Sequence, residues 1–213
     1  GDPPTLTAMA GVDLDGDGTR ETVVGTGGGH ILALDSTGRR RWRTDVGSQI
    51  TALAGCQPNA SGTRGVVYGA TRDLLGLIGP NGDKIKEIHI PQYRGIQSEP
   101  QNLTVADLDG DGVASIVVGV RSWQYLAYSA ELELQWNNVI YAHSATVAEV
   151  ADLDGDGTLE TVAGNAYFRL NIINSDGTRR INAGRFGPEQ SAVASADLDG
   201  DGQREIVIGT DAG

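Results

Sequence analysis

The 213-residue chain carries 28 Asp plus Glu against 16 Lys plus Arg, a formal net charge of −12. That balance argues against a nucleic-acid binder, which needs a cationic face to displace counterions from phosphates. The one cysteine, Cys56, excludes an intrachain disulfide or a cysteine-built zinc site, and no apolar run approaches the roughly 18 residues of a membrane-spanning helix.

Taken in chain order, the pattern predicts short strands over 6–12, 20–25, 30–35 and 40–45, rich in Val, Ile and Thr and without helical periodicity. Between the first two lies Asp13-Leu14-Asp15-Gly16-Asp17-Gly18. The same six residues recur at 107–112, 152–157 and 197–202, and each copy is followed, 12 residues after its first Asp, by a glycine that ends an apolar run: Gly25, Gly119, Gly164 and Gly209. The gap of 94 residues from 13 to 107 is about twice the later spacing of 45, so a decayed copy is expected between them. Val66-Val67-Tyr68-Gly69 supplies its end, 12 residues after Gln57, with Asn59, Ser61 and Gly62 in the loop places. Trp42 and Trp136 each lie 29 residues after their loop's first Asp, and Ile181 takes that place in the fourth copy. Turn residues precede them at 35–38, 79–82 and 174–177, and the surplus of the longest interval collects in an insertion at 91–100 holding Pro91 and Pro100.

Four strands in about 45 residues make the blade of a β-propeller. A parallel β-helix would need shorter repeats, and helical repeats would need amphipathic 3.6-residue patterns. The expected fold is therefore all-β, a propeller with four full blades at about 5–46, 49–91, 100–138 and 144–184 and a partial fifth at 190–213. The last unit offers strands only near 190–196 and 204–209, which leaves Ile206-Val207-Ile208 as an apolar edge; self-association or partner-assisted closure is the expectation.

The loops carry the chemistry. Asp13, Asp15 and Asp17 alternate, so their carboxylates can converge once the loop curls, and Gly16 and Gly18 permit left-handed backbone angles. Thr19 can add its carbonyl and Glu21 can close the shell. An all-oxygen set without His or Cys suits Ca²⁺ over zinc or copper, and crowded carboxylates suit it over Mg²⁺. A helix-loop-helix calcium motif would place its acid at position twelve between helices, whereas here the acid stands at position nine and a strand follows at once.

This pattern resembles the calcium loops of FG-GAP and VCBS-type propeller repeats, which include the integrin α-chain head, and the resemblance covers essentially the whole chain. It implies four calcium sites. The first uses Asp13, Asp15, Asp17, Thr19 and Glu21; the fourth copy uses Asp152, Asp154, Asp156, Thr158 and Glu160; the fifth uses Asp197, Asp199, Asp201, Gln203 and Glu205. The third has Asp107, Asp109, Asp111 and Val113, but Ser115 replaces the closing acid, so three strong sites and one weaker one are expected. The decayed loop at Gln57 has no carboxylate and is expected to bind nothing. Like charges packed this closely repel unless a cation compensates them, and the four loops hold fifteen of the 28 acids.

His30, His89 and His143 form no ligand spacing, and no nucleophile elbow, phosphate loop or dinucleotide fingerprint is present. Cys56 reads as a small apolar residue at the end of a strand. The face opposite the loops collects Tyr93, Arg94, Arg121, Trp123, Tyr141 and Arg185, with His143, Tyr167 and Phe186 nearby. Aromatic planes beside arginines suit a glycan or a protein loop, although any one of these rings could serve only to pack between blades. The expected function is a calcium-stabilised, secreted or cell-surface module for non-catalytic recognition or adhesion. The alternatives are part of a rhamnogalacturonan-type polysaccharide lyase, whose propeller carries similar repeats, and a self-assembling structural element.

Overall fold

A computed structural model describes residues 5–56, 64–140, 143–167, 169–184 and 189–211. Every regular element in it is a strand. The first sheet holds β1 (Leu6–Val12), β2 (Glu21–Thr26), β3 (His30–Leu34) and β4 (Arg40–Asp45); the second holds β5 (Ile50–Cys56), β6 (Gly65–Ala70), β7 (Leu74–Ile78) and β8 (Lys84–His89). The third holds β9 (Pro100–Ala106), β10 (Ser115–Val120), β11 (Gln124–Tyr128) and β12 (Leu134–Val139). The fourth holds β13 (Ala145–Ala151), β14 (Glu160–Asn165), β15 (Arg169–Ile173) and β16 (Arg179–Gly184), and a two-stranded sheet of β17 (Gln190–Ala196) and β18 (Glu205–Thr210) follows. Each sheet is an antiparallel meander with strands paired in chain order. The expected strands of the first and fifth units are found within a residue or so at each end.

The first strand of each sheet packs beside the first strand of the next, β1 on β5, β5 on β9, β9 on β13 and β13 on β17, so these strands are innermost and the sheets follow one another around them. The core lies between sheets. Val23, Ile31 and Ala33 of the first face Ile50, Val66, Tyr68 and Ile78 of the second, and Val67 and Leu75 face Ile116, Val118 and Leu126 of the third. Val117, Tyr125 and Ala127 of the third sheet meet Ala145, Ala163 and Ile173 of the fourth in the same way. Strands buried on both faces read as continuous apolar runs rather than alternation, which is why 66–70 and 116–120 lack a period-two pattern.

The glycine 12 residues into the first and second repeats marks a close approach between sheets. A Cβ on Gly25 would stand 2.4 Å from Ile50 Cγ2, and one on Gly69 would stand 2.4 Å from Pro100 Cβ. The tryptophans at register position 29 clamp the next sheet. Trp42 Nε1 donates to Pro80 O at 2.8 Å, and Trp136 Nε1 donates to Ser175 O at 3.0 Å. Two residues further on, Thr44 Oγ1 donates to Gly82 O and Asn138 Nδ2 to Gly177 O, at 2.5 and 2.8 Å. Gly177, at φ +82°, lies flat under Trp136, where a Cβ would come within 2.5 Å of the ring. In the second sheet Lys86 holds the tryptophan's place and reaches Glu131 O at 2.5 Å.

In the fifth sheet Val193, Ile206 and Ile208 pack on Leu153, Val162, Leu170 and Ile172, while Val207 on the opposite face is 50% exposed. Among the described residues β18 pairs with β17 alone. On the first sheet, Leu6 and Met9 are likewise exposed.

Candidate metal centres and the opposite face

Each Asp-Leu-Asp-Gly-Asp-Gly loop joins the innermost strand of its sheet to the second, and all four carry one hydrogen-bond network. The first Asp accepts two backbone N–H groups, from positions four and six: Gly16 at 2.7 Å and Gly18 at 3.3 Å in the first loop. Gly110 and Gly112 do the same for Asp107, Gly155 and Gly157 for Asp152, and Gly200 and Gly202 for Asp197. The third-position Asp accepts from position five, and the fifth-position Asp from position seven, the latter at 2.7–2.8 Å from Thr19, Val113, Thr158 and Gln203. The glycines at positions four and six all have φ between +75° and +91°, which only glycine adopts without strain. The backbone thus holds both oxygens of the first Asp and one oxygen, Oδ1, of the third- and fifth-position Asp in every loop.

Carboxylate oxygens of Asp13, Asp15 and Asp17 lie within 4.8 Å of one another, as do those of Asp107, Asp109 and Asp111. In the fourth and fifth units the corresponding groups are Asp152, Asp154 and Glu160, and Asp197, Asp199 and Glu205. The ninth-position glutamates are anchored alike: Glu21, Glu160 and Glu205 each accept, through Oε2, the backbone N–H of the loop's leucine, at 2.9, 3.0 and 2.8 Å. Glu21 and Glu160 are buried, and burial raises the Glu160 carboxyl above the usual glutamate range. Asp156 is held below the ordinary aspartate range by the Thr158 N–H and hydroxyl. This oxygen-only donor set fits a hard cation such as Ca²⁺, and Thr19, Val113, Thr158 and Gln203 are tied to the loop by their N–H bonds to the fifth-position Asp.

Residue-type reasoning missed three arginines. Arg41 Nη1 bridges Asp15 Oδ2 and Glu21 Oε1, 2.7 Å from each, and Arg180 Nη1 meets Asp154 Oδ2 at 2.7 Å. The Arg41 hydrogen bond holds the Asp15 carboxyl below its usual range. Arg64, from the second unit, reaches Asp13 Oδ2 at 2.7 Å. Arg41 and Arg180 both lie 28 residues after their loop's first Asp, a register in which the third unit places Gln135. That alignment was the available signal. The expected loop places at Gln57, Asn59 and Ser61 lie outside the described residues.

On the opposite face the structure brings Tyr93, Arg94 and Trp123 together. The Tyr93 and Trp123 rings meet edge-on with centroids 6.5 Å apart, and the Arg94 guanidinium lies 5.4 Å from the Tyr93 centroid. Trp123 has φ 68° and Arg94 φ 53°, strained angles for side chains of this size; Gly29 and Asp73, at the hairpin places matching Trp123, are also at positive φ. The insertion is locked to the third sheet where the buried hydroxyls of Ser98 and Ser122 pair at 2.7 Å. Arg121, in the same hairpin as Trp123, is exposed, and its carbonyl accepts from Ser144 Oγ at 3.3 Å. His143 and Tyr167 stack with centroids 4.5 Å apart. A recess of about 470 Å³ lined by Gln101, Ser144, Thr146, Ala166, Gln190 and Ser191, among others, opens between the inner strands. Tyr141, Arg185 and Phe186 lie outside the described residues.

Comparison of this fold with solved structures finds Saccharomyces cerevisiae Sqt1 at a TM-score of 0.78 and 14% identity, covering 95% of this chain and 56% of that one. BBS1N in complex with ARL6DN gives a TM-score of 0.68 at 17% identity over 90% of this chain and 54% of that one. BamB from Moraxella catarrhalis gives 0.59 at 15%, over 84% and 50%. All three are propellers. The chain is a β-propeller. It spans about half the length of the propellers it matches. At these identities the likeness concerns the fold alone. No family model and no curated protein matches the sequence. Among the described residues no helix is long and apolar enough to cross a membrane.

Proposed function

We propose that this propeller is a calcium-stabilised recognition module, secreted or displayed at the cell surface, that binds a protein or glycan without catalysis. The observation that carries the calcium reading is the fourfold recurrence of one loop in which the same backbone N–H groups hold the first Asp and three carboxylates cluster, the first two Asp of each loop with either the third Asp or the closing Glu. Packed acids at four places are costly to leave uncompensated, and millimolar calcium, the concentration that would keep such loops loaded, is characteristic of the extracellular space. Asp13, Asp15, Asp17 and Glu21 with their counterparts would hold the ion, tying the innermost strand of each sheet to the second.

The recognition reading rests on Tyr93, Arg94, Arg121 and Trp123. They gather on the face away from the loops, on a locked insertion and a strained hairpin. Large rings presented by rigid backbone bind at low entropic cost. BBS1N, a propeller of similar fold, is seen in complex with ARL6DN, which supports a protein ligand. The test is a calcium titration by calorimetry, together with a binding screen of proteins and glycans run in calcium and in chelator. Saturable heat near the micromolar range and a ligand lost in Arg121→Ala/Trp123→Ala support the reading. Silence in the titration, or turnover of an acidic polysaccharide, overturns it.

A further inference from the structure

Arginine at register position 28 tracks glutamate at position nine. Glu21 faces Arg41 and Glu160 lies by Arg180, whereas in the third unit Ser115 Oγ donates to Gln135 Oε1 at 2.9 Å, a neutral pair in the place of the charged one. In the decayed second unit the two places hold Gly65 and Ile85. In the four copies for which the sequence holds both places, the two members change together, as expected if they meet in the folded unit. The contact is not a loosely solvated surface pair, because Glu21 is only 4% exposed and a buried carboxylate is held by a partner.

The guanidinium is dispensable for loop shape. The third and fifth loops, which no arginine touches among the described residues, keep the same N–H contacts to Asp107 and Asp197, at 2.7–3.0 Å. Arg204, beside the fifth loop, is turned to Ser195 Oγ and O. What Arg41 adds is positive charge on Asp15 Oδ2 and Glu21 Oε1, two of the oxygens the calcium reading assigns to the ion.

Building on that reading, we propose that Arg41 and Arg180 are built-in counter-cations that compete with calcium. They latch the outermost strand to the loop in the metal-free protein and weaken metal affinity at the loops they touch. Arg64 on Asp13 adds to this in the first loop. Four carboxylates less two guanidinium groups leave a charge of −2 in loop one; the third and fourth loops stand at −3 and the fifth at −4. The order of affinity therefore runs from loop five, through loops three and four, to loop one. Counting carboxylates alone would have placed loop three last.

The experiment is a calcium titration followed by NMR at the amides of Gly18, Gly112, Gly157 and Gly202, one reporter per loop, with melting curves in EGTA and in calcium. Arg41→Gln is expected to tighten loop one about tenfold, the effect of removing one like charge beside a divalent ion in a partly solvated site. The same variant should lower the melting temperature in EGTA by about 2–4 °C and enlarge the gain on adding calcium. Gln135→Arg, on an exposed position, should weaken loop three about tenfold and leave loop five unmoved. Loop-one affinity that is unchanged or weaker in Arg41→Gln, or loop-three affinity that ignores Gln135→Arg, overturns this inference while leaving the calcium reading standing. A purely structural Arg41 would show itself as equal losses of melting temperature in both buffers. No calcium response at any of the four glycines would overturn both.

Discussion

The two faces of the propeller are built on opposite plans. On the loop face the units repeat one another: among the described residues the glycine angles and the N–H contacts to the first Asp return in four loops, and the tryptophan clamp returns in the first and third units at 29- and 31-residue offsets. On the other face the backbone repeats, with Gly27 bonded to Thr5, Thr71 to Gln49, Arg121 to Glu99, Ala166 to Ser144 and Asp211 to Glu189, but the side chains it presents do not. The second unit turns through Arg72 and Asp73, both at positive φ, the third through Trp123, and the insertion carrying Tyr93 and Arg94 occurs once. Repetition marks what every unit needs in order to hold together, and variation marks the surface where one unit can differ without loss of the fold. The proposed division of labour, with calcium stabilising the loop face and a ligand on the other, can be tested on each face separately.

The largest expected effect breaks the loop face at all four places at once. A site with Kd near ~10 µM in ~1 mM calcium contributes about 2.7 kcal/mol by mass action, so chelation should cost several kcal/mol and many degrees in a melting curve. An unchanged curve in excess EGTA would refute calcium dependence. Next is the clamp: Trp136→Ala removes the ring lying on Gly177 and the bond to Ser175 O. Chemical denaturation should report a loss of about 3 kcal/mol.

The third prediction probes the other face. Arg121→Ala/Trp123→Ala should abolish ligand binding and leave calcium affinity and stability within about 1 kcal/mol of the parent, checked by calorimetry and denaturation on one preparation. A variant that unfolds would show that Trp123 packs rather than binds.

The smallest effect is electrostatic. The Asp35 and Asp176 carboxyls, in the turns before the fourth strands, are held below their ordinary range first by the hydroxyls of Thr37 and Thr178 and also by backbone N–H groups. A depressed folded value means their stabilisation is present above the unfolded aspartate range near 3.9 and is lost as pH falls through the folded value. Thr178→Val should move the Asp176 titration midpoint upward in a carbon-detected NMR titration and narrow the acid range of stability slightly. Titration of Asp176 unmoved by that change would remove the hydroxyl from its role.

Much of the fold was legible because a propeller is a local object: each sheet is four consecutive strands, so one period in sequence is one unit in space. The strands expected at 190–196 and 204–209 are found at Gln190–Ala196 and Glu205–Thr210 for that reason. The matching register of Trp42 and Trp136 was visible too, but not its purpose, since Pro80 and Ser175 belong to the next sheet. The arginines went unread because each meets its acid 20 to 51 residues away in sequence, and a search for ligand residue types passes over a cation.

The sequence by itself determined the repeat, the strands of each unit and the oxygen chemistry of the loops, because each unit is one continuous stretch of about 45 residues and each loop a run of nine. Only the tertiary structure decided which cation lies on which carboxylate, why Gly25 and Gly69 admit no side chain, and that Tyr93, Arg94 and Trp123 form one cluster. These contacts join separate sheets, or strands far apart in one sheet, and their distances follow from how the sheets pack around the innermost strands, a geometry no local pattern encodes.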